Sequence, residues 1–149
     1  MNKNFGVIFD VDGTMVNNTS THRQAWFDLC KKHSIEMNHD LYHEKIHARS
    51  NDKIVPALFG DHVDAAFIRQ IEIEKESLYR ERFLPIIKET KGLTTLLKEL
   101  KSQGIPCAAA SNSPTENVDF VLDNLKIRPY FQAIRCRDDV QIGKPNPEL

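Results

Sequence analysis

Two aspartates two positions apart, Asp10 and Asp12, are followed at once by Gly13 and Thr14. Paired carboxylates with a glycine to turn the chain can hold a hard cation and present one oxygen as a nucleophile. A carboxylate that attacks a phosphate dianion is repelled by it, so such a centre also needs positive charge, which Mg2+ and Lys144 could supply. Ser111-Asn112-Ser113 stands just ahead of a marked helix start, where backbone N–H groups and the helix dipole favour an anion. The three clusters make sense together as a phosphoryl-transfer site.

A competing pattern lies further along. His43-Glu44-Lys45-Ile46-His47 fits His-Glu-x-x-His, in which two histidines one helical turn apart bind zinc and the glutamate serves as base of a zinc peptidase. His39, His62 or a glutamate between Glu72 and Glu76 would supply the third ligand. The same pentapeptide also arises on a solvated helix with no metal.

The elements that must position these residues follow from hydrophobic periodicity. Phe5 to Phe9 reads as a short buried strand stopping at the turn Asp10-Val11-Asp12-Gly13. His22, Ala25, Trp26 and Leu29 repeat at helical spacing behind Thr19 or Ser20 as N-cap, and helices are predicted over about 40–46, 52–58 and 61–83. After Gly92 the pattern changes. Leu93, Leu96, Leu97 and Leu100 form a helix face, Gly104 stops it, and Ile105 to Ala110 reads as a strand. Ser113 as N-cap, Pro114 at the first helical position and Glu116 as capping-box partner announce a helix carrying Val118, Val121, Leu122 and Leu125. Ala133 to Cys136 is the last strand predicted.

Alternating strands and helices imply right-handed parallel crossovers, so the fold class is α/β. The predicted organisation is an α/β core made of residues 1–14 and 89–149, with an α-helical insertion over 15–88. In an open parallel sheet ligands bind beyond the carboxyl ends of the strands, where Asp10, Ser111 and the segment leading to Lys144 all fall.

Composition narrows the alternatives. The 149 residues carry 20 Lys+Arg against 21 Asp+Glu, a formal net charge of -1, so no basic field exists to hold a nucleic acid. The apolar runs are only a few residues long, far short of the ~20 that cross a bilayer. The N-terminus reaches Val7-Ile8-Phe9 and then Asp10 too soon for a signal peptide. Cys30, Cys107 and Cys136 form no Cys-x-x-Cys and suit reduced thiols. A cytoplasmic protein is the expectation.

Asp10-x-Asp12-Gly13-Thr14, Ser111-Asn112 and Gly143-Lys144-Pro145 resemble the first three motifs of the haloacid dehalogenase superfamily. With its helical insertion the chain is similar to the β-phosphoglucomutase-like phosphatases. The resemblance implies a Rossmann-like parallel core with a helical cap. It also implies a Mg2+-dependent phosphohydrolase acting on a small phosphorylated metabolite. Asp10 would be the nucleophile that becomes an aspartyl-phosphate and ligates Mg2+. Asp12 would be the general acid/base, its backbone carbonyl also on the metal. Ser111, Asn112 and Thr14 would hold phosphate oxygens, and Lys144 would neutralise phosphate and nucleophile.

In the cap, His22, Arg49 within Ala48-Arg49-Ser50, and Lys75 fall where relatives place substrate contacts, although Asn17 replaces the usual Asp and Ala48 the usual Gly. Two other readings share these residues: a sugar-phosphate mutase, and a non-catalytic remnant that still binds phosphate. The family's fourth motif, an acidic pair completing the Mg2+ site, would lie beyond Leu149, because Asp138-Asp139 precede Lys144. A core incomplete at its C-terminus, with an open edge on the first strand, is therefore expected.

Overall fold

The structure, a computed structural model, describes residues 5–47, 49 and 51–149. In chain order its elements are β1 (Val7–Phe9), α1 (Thr19–Lys32), α2 (His39–Lys45), α3 (Asn51–Phe59), α4 (Ala65–Phe83), α5 (Leu93–Ser102), β2 (Cys107–Ala110), α6 (Thr115–Asn124) and β3 (Ala133–Arg135). Single 3-10 turns occupy Leu84–Ile86, Arg128–Tyr130 and Arg137–Asp139. The chain divides into two units. One is the chain up to Thr19 together with Pro85–Leu149, and the other is Ser20–Leu84.

The first unit is an α/β layer. Its three strands are parallel in the order β1-β2-β3, with Val7 opposite Cys107 and Phe9 opposite Ala109, then Ala108 opposite Ala133 and Ala110 opposite Arg135. This register brings the carboxyl ends of all three strands side by side, and the residues after them emerge at one end of the sheet. β1 lies at an edge of the described sheet, with Ile8 74% exposed. The ladder is shorter than the apolar runs predicted. Pro106 has no N–H to give, so pairing on β2 starts at Cys107, and the Pro106 carbonyl accepts from Val7 at 3.0 Å.

The helices of this unit bury one face each. α5 buries Leu93, Leu97 and Leu100 but leaves Leu96 exposed, a narrower stripe than its four leucines suggest. It ends where Gly104, at φ +67°, takes the left-handed conformation while its N–H reaches Lys101 and that of Ile105 reaches Leu100. α6 buries Val118, Val121 and Leu122.

The second unit is helical. Trp26, Leu29, Tyr42, Ile46, Ile54, Val55 and Ile71 form its core, drawn from α1 to α4 and, with Ile46, from the C-cap of α2. Its caps differ from those predicted. Thr19 and Ser20 both lie inside α1, preceded by Asn18. Asn38 caps α2 by accepting from Leu41 N at 2.8 Å, and Asp64 caps α4 by accepting from Phe67 N at 2.8 Å, so α4 begins at Ala65 and not at 61. Among the described residues no helix is long and apolar enough to cross a membrane.

Cys30, Cys107 and Cys136 are free and buried. Burial pushes the Cys30 and Cys136 thiols up to about 11 and raises that of Cys107. Since the thiolate is the reactive form, iodoacetamide at pH 8 should leave all three unmodified in the native protein. Full alkylation is expected only after denaturation, as read by intact mass.

Candidate active site

β1 delivers Asp10 directly after its last residue, and the following loop is coiled tightly. The amides of Thr14, Met15 and Val16 all converge on the Val11 carbonyl, at 3.3, 2.8 and 3.4 Å. Such a turn needs one left-handed residue, supplied by Gly13 at φ +74°. Val11 is buried beneath it; of the aspartates on either side, Asp12 reaches Ser111 just past β2 and Asp10 reaches Lys144.

Asp12 is gripped by neutral donors. Asn18 donates to its Oδ1 at 2.6 Å, while Ser113 and Ser111 donate their hydroxyls to its Oδ2 at 2.6 and 3.1 Å. The Asn18 carbonyl oxygen accepts from Gly13 N at 3.3 Å, which fixes which end of the carboxamide faces the carboxylate. Asn18 is the site residue that sequence reasoning missed; Ser113 stood in the Ser111-Asn112-Ser113 cluster but with a helix cap as its only role. The motifs around Asn18 gave it no role at the site, and Ser113 was expected to cap α6. Pro114 occupies that N-cap instead, and the Asp138 carboxylate accepts from Thr115 N at 2.8 Å. Asp139 likewise serves the backbone, accepting from Cys136 N at 2.7 Å. The helix starts at Thr115, so Ser111 and Asn112 sit at the end of β2 and not at its first turn.

Lys144 completes the cluster. Its Nζ lies 2.6 Å from Asp10 Oδ1 and 3.1 Å from the Ala110 carbonyl. Both charged side chains are partly open to solvent, so this pair contributes little to stability and leaves the carboxylate accessible. Asn112 faces the Lys144 backbone, its Oδ1 accepting from Lys144 N at 2.7 Å and its Nδ2 donating to Lys144 O at 3.2 Å. Thr14 is exposed, and its amide helps close the turn on Val11. The structure thus brings these residues together at one end of the sheet in two hydrogen-bonded sets, Asp10 with Lys144 and Asn112, and Asp12 with Ser111, although Asp10 and Lys144 are 134 residues apart in sequence.

The oxygen donors here are hard. With the Asp12 carboxylate held by Asn18 and the serines, a cation would take the Asp10 carboxylate and the Asp12 main-chain carbonyl, completed by water and phosphate oxygens. That water-rich set suits Mg2+. Among the described residues no three His, Cys, Asp or Glu side chains gather as a metal cluster.

The remaining sequence candidates lie in the helical unit. Lys75 is buried, with Nζ 2.9 Å from His22 Nδ1 and 2.8 Å from Glu76 Oε1, and stands over the rings of Trp26 and Tyr79. His22 stacks on Tyr79 at 3.8 Å. Arg49 is exposed, and its neighbours Ala48 and Ser50 lie outside the described residues. The zinc pattern is not on one helix. α2 ends at Lys45, so His47 lies past it, the His43 and His47 rings meet edge-on at 5.0 Å, and no third ligand gathers among the described residues. The zinc-peptidase expectation is therefore set aside.

Residues 7–149 match the family described as haloacid dehalogenase-like hydrolase. An uncharacterised protein of Haemophilus influenzae is 32% identical over 146 residues, covering 96% of this chain and 70% of its own length. The phosphorylated carbohydrates phosphatase of Thermotoga maritima is 27% identical over 147 residues, covering 96% and 66%. The solved structure of a haloacid dehalogenase-type hydrolase from Entamoeba histolytica aligns with a TM-score of 0.86 at 25% identity, covering 96% and 66%. The chain thus spans about two thirds of the length of these relatives. With Asp10-x-Asp12 and Ser111 just past the ends of parallel strands, Lys144 beside Asp10, and a match running from β1 to Leu149, this chain belongs to the haloacid dehalogenase-like hydrolase family.

Proposed function

We propose that the protein is a phosphomonoester hydrolase acting through an aspartyl-phosphate on Asp10. The observation that carries this reading is the Asp10 carboxylate at the open end of a parallel strand with the Lys144 ammonium 2.6 Å away. The pair sets a nucleophile beside a positive charge that cancels its repulsion for a phosphate dianion. Asp10 attacks phosphorus and displaces the alcohol. Asp12 gives the leaving oxygen its proton, then takes one from the water that hydrolyses the acyl phosphate. To do so its carboxyl group gives up one of the bonds from Asn18, Ser111 or Ser113. Ser111 and the backbone after β2 receive phosphate oxygens. Mg2+, held by the Asp10 carboxylate and the Asp12 carbonyl, would add charge stabilisation for the transferring phosphoryl group.

Unit Ser20–Leu84 takes the role of a cap, with His22, Arg49 and Lys75 as substrate contacts. The substrate class is a small phosphorylated metabolite. The Thermotoga relative's name favours a phosphorylated carbohydrate, and the lack of net positive charge does not favour a polyanion. Hydrolysis of p-nitrophenyl phosphate by the purified chain should require Mg2+ and fall to background with chelator. Activity undiminished by chelator would contradict the metal assignment. Free phosphate released from a hexose phosphate supports the hydrolase, whereas an isomeric sugar phosphate would mark a mutase.

A further inference from the structure

The segment carrying Lys144 has little regular structure of its own. From Arg137 to Leu149 it contains one 3-10 turn, Arg137–Asp139, yet Lys144 must bring an ammonium on a flexible four-carbon stem to Asp10. Within the segment Glu148 accepts from Gln141 N and Ile142 N at 3.0 Å each and the Gly143 carbonyl accepts from Asn146 N at 3.1 Å, but the bonds to the Lys144 backbone itself come from outside it. Asn112 makes both possible bonds to Lys144, accepting its N–H at 2.7 Å and donating to its carbonyl at 3.2 Å, as a neighbouring strand would. Asn112 is well placed to anchor, because it follows β2 and the adjacent Ser111 N–H is tied to the Arg135 carbonyl on β3 at 3.0 Å. Gly143 belongs to the same device. A Cβ there would stand 2.5 Å from Asn112 Oδ1 and 3.2 Å from its Cγ, so any larger residue would displace the carboxamide that holds the next residue.

We propose that Asn112 is a positioning residue that acts through Lys144: its carboxamide clips the Lys144 backbone, Gly143 leaves room for the clip, and the two together set where the ammonium meets Asp10. This rests on the reading of Asp10 and Lys144 as a phosphate site, and it differs from the expectation that the Asn112 side chain holds phosphate itself. Fixing the backbone in advance removes part of the ordering cost that a lysine on a loose segment would otherwise meet when phosphate arrives.

Two readouts test it. Amide exchange at Lys144, followed by NMR, reports the clip directly. Protection should drop at least about tenfold in Asn112→Ala and in Gly143→Ala, and fall less in Asn112→Asp, which keeps the acceptor. Unchanged protection in both of the first two variants would overturn the clip. The second readout is a double-mutant cycle on the Kd of inorganic phosphate, measured with Mg2+ in the intact chain. Asn112→Ala should weaken phosphate about tenfold on its own and have no further effect in a Lys144→Ala background. An equal loss in both backgrounds would mean that Asn112 touches phosphate directly, and would overturn the proposal. If the unaltered chain binds no phosphate, the phosphate-site reading fails and the positioning of Lys144 for phosphate fails with it. Exchange at Lys144 would then still show whether the clip itself exists.

Discussion

Replacing Asp10 with asparagine is expected to reduce phosphomonoester hydrolysis to background, a loss of at least about four orders of magnitude, the scale on which nucleophile removal disables covalent catalysis. The introduced amide is the same size, and its carbonyl oxygen can still accept from Lys144 Nζ. Asp10 is partly open to solvent, so fold and solubility should not change. What disappears is the negative oxygen that attacks phosphorus. Loss of one negative charge beside Lys144 should also relieve repulsion toward phosphate, so the variant should bind inorganic phosphate at least as tightly as the parent while turning over nothing. Tighter binding with no catalysis separates a missing nucleophile from a damaged site. A variant that keeps a tenth of the parental kcat would show that the nucleophile lies elsewhere.

The second large effect is expected at Asp12. Asp12→Asn should lower kcat by about 10² to 10⁴, the usual worth of a general acid/base. The donors around Asp12 can accommodate the change. Asn18 can still donate to the amide oxygen, and the Ser111 and Ser113 hydroxyls can turn to accept from the new amide nitrogen. The two half-reactions should respond differently. An activated aryl phosphate departs without a proton, so phosphorylation of Asp10 should persist, whereas water still needs a base to attack the acyl phosphate. Rapid-quench measurements on Asp12→Asn should therefore give a burst approaching one equivalent of phenol followed by a stall. A uniform slowing with no burst would place the acid/base function on another group.

What the sequence could and could not disclose has physical reasons. Asp10, Ser111 and Lys144 were readable because each follows a short apolar strand or a marked segment in a parallel α/β order, which by itself brings strand ends together. Asn18 was not. Its bonds to Asp12 and to Gly13 N exist only because the Gly13 turn folds the chain back, and turn geometry is not a matter of spacing. Ser113 was misread because Ser-Pro-x-Glu is a strong local cap pattern. Two non-local carboxylates decided otherwise: Asp12 takes the Ser113 hydroxyl, and Asp138, 23 residues from Thr115, accepts the Thr115 N–H at the helix start. His43 to His47 failed for a related reason. Ile46 is drawn into the core of the helical unit as the C-cap of α2, so the helix stops before the second histidine. The pairing of Asn112 with Lys144 spans 32 residues and depends on a glycine with no side chain, a contact that no periodicity encodes.

The most direct test of the account is to find the covalent intermediate. The intact chain would be mixed with Mg2+ and an aryl phosphate, quenched in acid within milliseconds, digested and examined by mass spectrometry. A phosphate should appear on the peptide that contains Asp10, be lost to hydroxylamine, and be absent from Asp10→Asn. Turnover with no modified peptide, a phosphate on any other residue, or no turnover by folded protein would contradict the account.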